Sequence, residues 1–496
     1  MNDKQDLELA ELFIKSLFDE NTAHSLDEIL DWVAERNVNT FVDIKKTSLD
    51  ALEQWFYDEN AGEIRNTNRS FFTITGIRET LRNADSEHER IIEQPIILQD
   101  EIGYLGIIAK KIGGTLHFLM QAKIEPGNVN KIQLSPTIQA TKSNFTRAHG
   151  GSSPAYLDFF VNSAEYRIVV DQLQSEQSSR FLGKRNRNVL IYLEPETEIA
   201  VLPTHKWMTL GQIKELMRVE NLVNMDTRTV ISCIPLYDFA RRTKGIMQSI
   251  PIDVFAQKLE KMSRKNPNDD APALRNSVIT APNQHTIATA YNCINDYKML
   301  TDIKRDLIPL NELKGWNWVN GEFVQTEVLE NTAQADFKVI FADIEINGRE
   351  VRKWGQPLFE ATGIATFGLF TATFDGVQKF LVRATPEIGS FDYIEFGPTL
   401  QLEASAKPKD AVQKLLLTKY ATKQGVLRDV ILSEEGGRFY HEQNRNLIIA
   451  LTKSDLTKLS LPNGYFWMTF ADLNQLVQVN NCLNIQLRNL LALVKV

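Results

Sequence analysis

The sequence contains two copies of one module, and this duplication constrains the fold more than any other feature. Gln94-Pro95 aligns with Gln356-Pro357, Gly106 with Gly368, Glu125 with Glu387, and Pro136-Thr137-x-Gln139 with Pro398-Thr399-x-Gln401. All of these keep one offset of 262 residues. Downstream, "SEQSSRFLGKRNRNVLIYL" (175–193) aligns with "SEEGGRFYHEQNRNLIIAL" (433–451). "WMTLGQIKELMRVENLVNMDTR" (207–228) aligns with "WMTFADLNQLVQVNNCLNIQLR" (467–488). Leu49, Leu52 and Trp55 match Leu310, Leu313 and Trp316 where each copy begins. Ordered matches of this extent mean two homologous units, not a recurring short motif. The expected division is a first unit over 1–236, a helical connector over 237–305 and a second unit over 306–496.

Within each copy, "TLHFLMQA" and "QKFLVRA" alternate apolar and polar residues, the pattern of half-buried strands. "TLGQIKELMRVEN" reads as a helix, with Thr209 and Gln212 as a capping box and Ile213, Leu216 and Met217 as its apolar face. Ser25 and Glu28 give "SLDEILDWVAER" the same signature. Strands first and a helix last imply an α+β module with a mixed sheet flanked by helices. The connector is read as an amphipathic helix, "VFAQKLEKMSRK", and a polar loop, "NPNDDAPALRNS".

A chain of 496 residues, 43% hydrophobic, exceeds one ordinary core. Its net charge of −8 disfavours nucleic acid and anionic membranes as partners, so an anionic ligand would need a local basic cluster. Cys233, Cys293 and Cys482 lie far apart, which fits a reducing compartment and offers neither a disulfide framework nor a cysteine-rich metal site. The start, "MNDKQDLELAELFIKSLF", lacks a signal peptide's apolar core, and no apolar run is long enough to span a bilayer, so a cytoplasmic protein is expected. P-loop, GxGxxG, HExxH and GxSxG patterns are absent, and no helical string of glutamates offers a magnesium site. The expected chemistry therefore uses no metal and no cofactor.

Differences between the copies point to function. Lys123, Lys142, Lys184 and Arg185 in the first copy face Thr385, Ala404, Glu442 and Gln443 in the second. Arg180, Lys184, Arg185 and Arg187 form a cluster that reads either as a diphosphate clamp or as a solvated basic turn. His149 sits in a polar loop, "KSNFTRAHGGSSP", that has no counterpart in the second copy. Lys123 and Glu125 share one face at a strand end, where the lysine can tune the carboxylate or simply pair with it. Thr137 and Gln139, two apart, would face one side of a strand. Asn186-Arg187-Asn188, mirrored at 444–446, reads equally as a turn or as part of a site. The second copy keeps Arg438 and Arg445 and adds His441, enough for a weaker anion site.

The strings "QAKIEPGN…QLSPTIQATKSNFTRAHGG" and "NLVNMDTRTV", with "GWNWVNGEFVQTEVLE", "REVRKWGQPLFEATG" and "SEEGGRFYHEQNRN", resemble the NDP-hexose 2,3-dehydratases over nearly the whole chain. The resemblance implies two tandem Nudix-like domains, a homodimer, a nucleotide-sugar pocket in each domain and no cofactor. The implied substrate is dTDP-4-keto-6-deoxy-D-glucose, with elimination of its C2 hydroxyl and a ketoreductase or aminotransferase acting on the product. On this reading Glu125, Glu176 and His149 are open candidates for proton transfer. Lys123, Thr137, Gln139, Thr141, Ser143 and Asn144 would serve the sugar, and Arg180, Lys184, Arg185, Asn186 and Arg187 the diphosphate. A second, auxiliary pocket would use Glu387, Thr399, Gln401, Arg438, Tyr440, His441, Asn444 and Arg445. The family's Trp before Gln-Pro is present as Trp354, but the first copy has Ile92. A non-catalytic nucleotide-sugar binder and a nucleotide-sugar hydrolase are the rival readings.

Overall fold

The computed structural model describes residues 3–18, 21–68, 71–83, 90–142, 153–243, 271–329, 334–349 and 351–494. His149, Ser143, Asn144 and the segment "VFAQKLEKMSRK" lie outside the described residues.

The first repeat opens with α1 (Asp3–Phe18), α2 (Leu26–Asn39) and β1 (Val42–Thr47). A hairpin, β2 (Trp55–Asp58) and β3 (Glu63–Asn66), leads into β4 (Thr73–Asn83) and β5 (Arg90–Leu98). Then come β6 (Tyr104–Ile112), β7 (Thr115–Ile124), β8 (Ile132–Ser135), β9 (Ile138–Ala140) and α3 (Leu157–Val161). β10 (Arg167–Ser175), β11 (Arg185–Leu193) and β12 (His205–Met208) precede α4 (Leu210–Leu216), α5 (Met225–Ser232) and α6 (Leu236–Arg242).

The second repeat runs α7 (Ala271–Ile279), α8 (Gln284–Leu300), β13 (Thr301–Ile308), β14 (Trp316–Val319), β15 (Glu322–Gln325), β16 (Phe337–Ile346) and β17 (Lys353–Ala361). β18 (Ala365–Phe374), β19 (Val377–Pro386), β20 (Ile394–Gly397), β21 (Leu400–Leu402) and α9 (Ala411–Ala421) follow. It ends with β22 (Val426–Ser433), β23 (Phe439–Tyr440), β24 (Gln443–Ala450), α10 (Lys453–Lys458), β25 (Tyr465–Thr469), α11 (Phe470–Leu476) and α12 (Ile485–Ala492).

The expected capping boxes form at Ser25–Glu28 and Thr209–Gln212, and each satisfies amide donors at a helix start. Residues 271–305 are not a connector but the second repeat's version of α1, α2 and β1. Ser16 in α1 accepts a hydrogen bond from Leu210 N, and Ser277 in α7 accepts the same bond from Phe470 N. β7 is buried on both faces, not one. Leu116, Phe118 and Met120 pack with α1, while Leu119 meets Phe160 of α3 and Trp207. No described helix is long and apolar enough to cross a membrane.

Each repeat builds a mixed sheet, β10-β11-β6-β7-β12 and its mirror β22-β24-β18-β19 with β20 and β25, in which β11–β6 and β18–β24 are the parallel pairs. The smaller sheets are shared. β1 pairs with β16, from Val42↔Ile346 to Thr47↔Phe341, and β13 pairs with β4, from Thr301↔Asn83 to Ile308↔Gly76. Each repeat thus lends its first strand to the other.

Two further features lock the halves. Gly127 N donates to Gly436 O at 2.7 Å, and in the mirror contact Gly389 N donates to Ser178 O at 2.7 Å. Arg228 of α5 and Arg488 of α12, both fully buried, cross between repeats: Arg228 donates to Ser433 O, and Arg488 to Ser175 O. The largest hydrophobic cluster draws residues from both repeats, so the duplication yields one joint core.

Candidate active site

A cavity of about 290 Å³ opens at the end of the first repeat's mixed sheet. The first repeat gives it Lys123 and Glu125 from the end of β7, Gln139 from β9, Glu176 beyond β10, Lys184, Asn186 from β11 and Asp226 from α5. Because of the strand exchange, the second repeat closes it with Arg349 from the end of the β16–β17 hairpin, Trp354 from β17, and Glu435 and Arg438 from the turn before β23. Trp55, Phe71, Phe72, Tyr104 and Phe181 supply aromatic wall.

The acidic groups of the cavity are sharply differentiated. Burial alone would push Glu125 up, yet Arg349 at 3.0 Å and Lys123 at 3.0 Å hold its carboxyl down to about 2. Glu125 therefore stays ionised at any physiological pH and orders two cations around it. Glu176 behaves in the opposite way. Burial pushes it up to about 7 against the pull of Arg488 and Lys184 and a 2.8 Å hydrogen bond from Asn186 Nδ2. Asp226 is raised well above the ordinary carboxylate range by burial, reinforced by the charges of Glu176 and Glu435. Its Oδ2 is buried with no hydrogen-bond partner among the described residues. Burial and the neighbouring Glu125 raise Glu435, which accepts from Gly437 N at 2.6 Å.

Lys184 and Arg438 also line the cavity. Lys184 donates to Glu101 O, and burial lowers its ammonium to about 8. Arg438 lies 4.2 Å over the Phe72 ring, donates to Gly437 O at 2.8 Å, and keeps its Nε without a partner among the described residues.

Of the sequence-based candidates, Lys123, Glu125, Gln139, Thr141, Glu176, Lys184 and Asn186 meet in this cavity. Others stand elsewhere. Thr137 sits in the bend before β9, so the strand alternation does not reach it. Its hydroxyl donates to Leu119 O and accepts from Ile108 N, a structural tie that Thr399 repeats with Leu381 O and Phe370 N. Arg187 is held by Asp171, as Arg445 is by Asp429, and Arg185 lies 4.0 Å over Phe391. Neither Arg185 nor Arg187 lines the cavity. Arg180 lies on the second repeat's side, 4.2 Å over Phe337 and 3.3 Å from Glu403.

Arg180 and Arg438 thus exchange places: each stands against the other repeat's site, and the assignment of Arg438 to a second pocket is corrected. The second-repeat group has Glu387 bonded by Gln401 and Asn484, with Asn444 donating to Glu434. Tyr440 stacks on His441 at 4.1 Å, away from the cavity. Crossing also accounts for Ile92: the tryptophan before Gln-Pro, carried by the second copy, serves the first copy's cavity. Trp316 is buried against Phe323, whereas its first-copy counterpart Trp55 lines the cavity. Comparing the copies could have found Asp226, which faces Gln486, and Glu435, which faces Gln177. Trp354 carries the same sign, since it faces Ile92, but only the strand exchange brings it and Arg349 to this cavity.

The family model for NDP-hexose 2,3-dehydratase matches residues 26–234 and again 288–494. A "dTDP-4-dehydro-6-deoxy-alpha-D-glucopyranose 2,3-dehydratase" of Streptomyces violaceoruber is 35% identical over 467 residues, covering 94% of this chain and 96% of the relative. Its namesake from Saccharopolyspora spinosa is 36% identical over 466 residues, 93% of this chain and 89% of its own. With both repeats matched and relatives similar from end to end, the chain belongs to the NDP-hexose 2,3-dehydratase family.

Proposed function

We propose that the protein is a carbon–oxygen lyase that eliminates the C2 hydroxyl of dTDP-4-keto-6-deoxy-D-glucose, giving a dTDP-3,4-diketo-2,6-dideoxyhexose for deoxysugar biosynthesis. The observation that carries this reading is the meeting of two buried acids of raised proton affinity, Glu176 and Asp226, with the cationic side chains of Lys184 and Arg438 in one aromatic-walled cavity. The relatives' printed names agree with it.

The C4 ketone acidifies the C3 proton. Glu176, near half-ionised at neutral pH, takes that proton, and the electron pair moves onto the C4 oxygen as an enolate. Lys123, which lines the cavity, stabilises the oxyanion. The enolate then re-forms the C4 ketone, the C2=C3 bond forms, and the C2–O bond breaks. Asp226, still protonated, supplies the proton with which the hydroxyl leaves as water. Two carboxyls separated in proton affinity by their surroundings can divide base and acid work in this way. The resulting 3-hydroxy enol loses its O–H proton and gains one at C2, giving the C3 ketone. Glu125, fixed as an anion, orders Lys123 and Arg349 and carries no proton. Lys184 and Arg438 hold the diphosphate, and Trp354, Trp55 and Phe72 flank the base.

The two units are read as Nudix-related domains and the working protein as a homodimer. Its diketone product calls for a ketoreductase or aminotransferase to act next.

The test is mass spectrometry of purified protein with freshly made dTDP-4-keto-6-deoxyglucose and a trap for the diketone. Loss of one water, or free dTDP with sugar breakdown products, is the expected result. Unchanged, bound substrate would favour the non-catalytic binder, and cleavage within the diphosphate would favour the hydrolase. Arg438→Ala should weaken dTDP binding by about 10–100-fold, from roughly 1.5–3 kcal/mol of charge-assisted hydrogen bonding. Arg445→Ala, outside the cavity, should leave it unchanged. Equal losses in calorimetric titrations of the two variants would return Arg438 to a second site.

A further inference from the structure

The two Glu loops, at Glu176 and Glu434, are each pinned by an arginine from the opposite repeat, but the pins are not equivalent. Arg488 reaches from α12 to the end of β10, next to Glu176. It donates to Ser175 O, to Ser175 Oγ at 3.3 Å, to Leu483 O, and through Nε to Thr229 Oγ1 at 2.8 Å. Ser175 Oγ in turn donates to Glu395 Oε2 at 2.7 Å. Around the pseudo-twofold axis, Arg228 donates to Ser433 O, and Ser433 Oγ accepts from Gln133 Nε2 at 2.7 Å. Glu395 and Gln133 occupy matching positions at the same 262-residue offset. The carboxyl therefore stands only on the side of the cavity, behind Glu176, where the mirror side has a neutral amide.

We propose that Arg488, Ser175 and Glu395 form a positioning unit, built largely from the second repeat, that fixes the Glu176 loop and sets the buried charge that Glu176 faces. The inference rests on Glu176 acting as the base in the proposed reaction. None of the three lines the cavity. Glu176 faces Arg488 from α12, Lys184 from its own loop, Glu435 from the second repeat's turn and Asp226 from α5. Arg488 faces Cys233, Glu395, Glu176 and Glu387. Arg488 favours ionised Glu176, while Glu395 competes for the same guanidinium; burial pushes Glu395 up to about 7, so it is partly charged near neutrality. The unit balances a cation against a carboxyl one step removed from the reacting atoms.

The opposed signs make the test. Glu395→Gln copies the mirror side and keeps an acceptor for Ser175. It should move the acid limb of the kcat/KM profile down by on the order of 0.5 pH unit, because Glu395 then no longer competes with Glu176 for Arg488. Arg488→Met should move the limb up by on the order of 1 unit and lower kcat with little change in KM. Ser433→Ala, the mirror control, should leave the limb in place. A merely structural role predicts lost stability with an unmoved limb, and an unmoved limb in Glu395→Gln overturns the inference even if Arg488→Met does not fold. Glu176→Gln, measured alongside, separates the two ideas. If it is inactive, the limb shifts decide on the positioning unit. If it turns over normally, the base assignment fails and the positioning inference falls with it.

Discussion

Glu176→Gln is expected to lower kcat by about 10²–10⁴-fold while leaving dTDP binding nearly unchanged. The amide keeps the size of the side chain and an acceptor for Asn186 Nδ2, which now bonds the carboxylate at 2.8 Å. It removes only the capacity to take a proton. The same assignment fixes the wild-type pH dependence. The base works ionised, so activity is lost as pH falls through the Glu176 value of about 7. Asp226 works protonated, so activity is lost again as pH rises through its raised value. Steady-state rates of the variant, with calorimetric titration of dTDP, check both parts. A variant that keeps more than about a tenth of the wild-type rate would remove Glu176 from proton abstraction.

Gly127→Ala is expected to have the largest structural effect, destabilising the protein by about 3 kcal/mol or more. A methyl there would lie 1.7 Å from Phe439 O and 2.8 Å from Gly436 O, and neither is a flexible side chain that could swing away. Backbone would have to move, breaking the 2.7 Å bond from Gly127 N to Gly436 O that joins the repeats. The displaced turn carries Glu435 and Arg438, so activity should fall in whatever protein remains folded. Gly389→Ala repeats the situation on the mirror side, with Phe181 O 1.9 Å from the added carbon. Equilibrium denaturation measures the loss, and an unshifted midpoint would show that the joint yields freely.

The sequence made the duplication and much of the cavity legible because both repeat locally. Helix caps at Ser25 and Thr209 depend on residues three apart, and the matched strings needed no three-dimensional knowledge. Lys123 and Lys184 were found because the copies differ there, with Thr385 and Glu442 at the matching places, and Gln139 and Glu176 because they recur as Gln401 and Glu434. Thr137 was misread because alternation was assumed across a bend whose threonine ties two strands together. Arg185 and Arg187 were grouped with Lys184 by proximity in sequence, but in a strand neighbouring side chains point to opposite faces. Arg349 was missed, Arg438 was placed in the wrong pocket and Trp354 was left without a site for a different reason. They belong to one repeat and serve the other, and nothing local encodes that crossing.

The exchange of first strands also sets an order of events during synthesis. β1 leaves the ribosome early, but its partner β16 follows roughly 300 residues later, on the order of 15–60 s at about 5–20 residues per second. Until then β1 has no ladder to join, and β4 waits for β13. The amino-terminal half therefore cannot reach its final state as a finished domain before the carboxy-terminal half is translated. Contacts so distant along the chain make for slow folding and a long-lived exposed strand edge. The arrangement that lets each half complete the other's sheet makes the nascent chain dependent on protection until both halves exist.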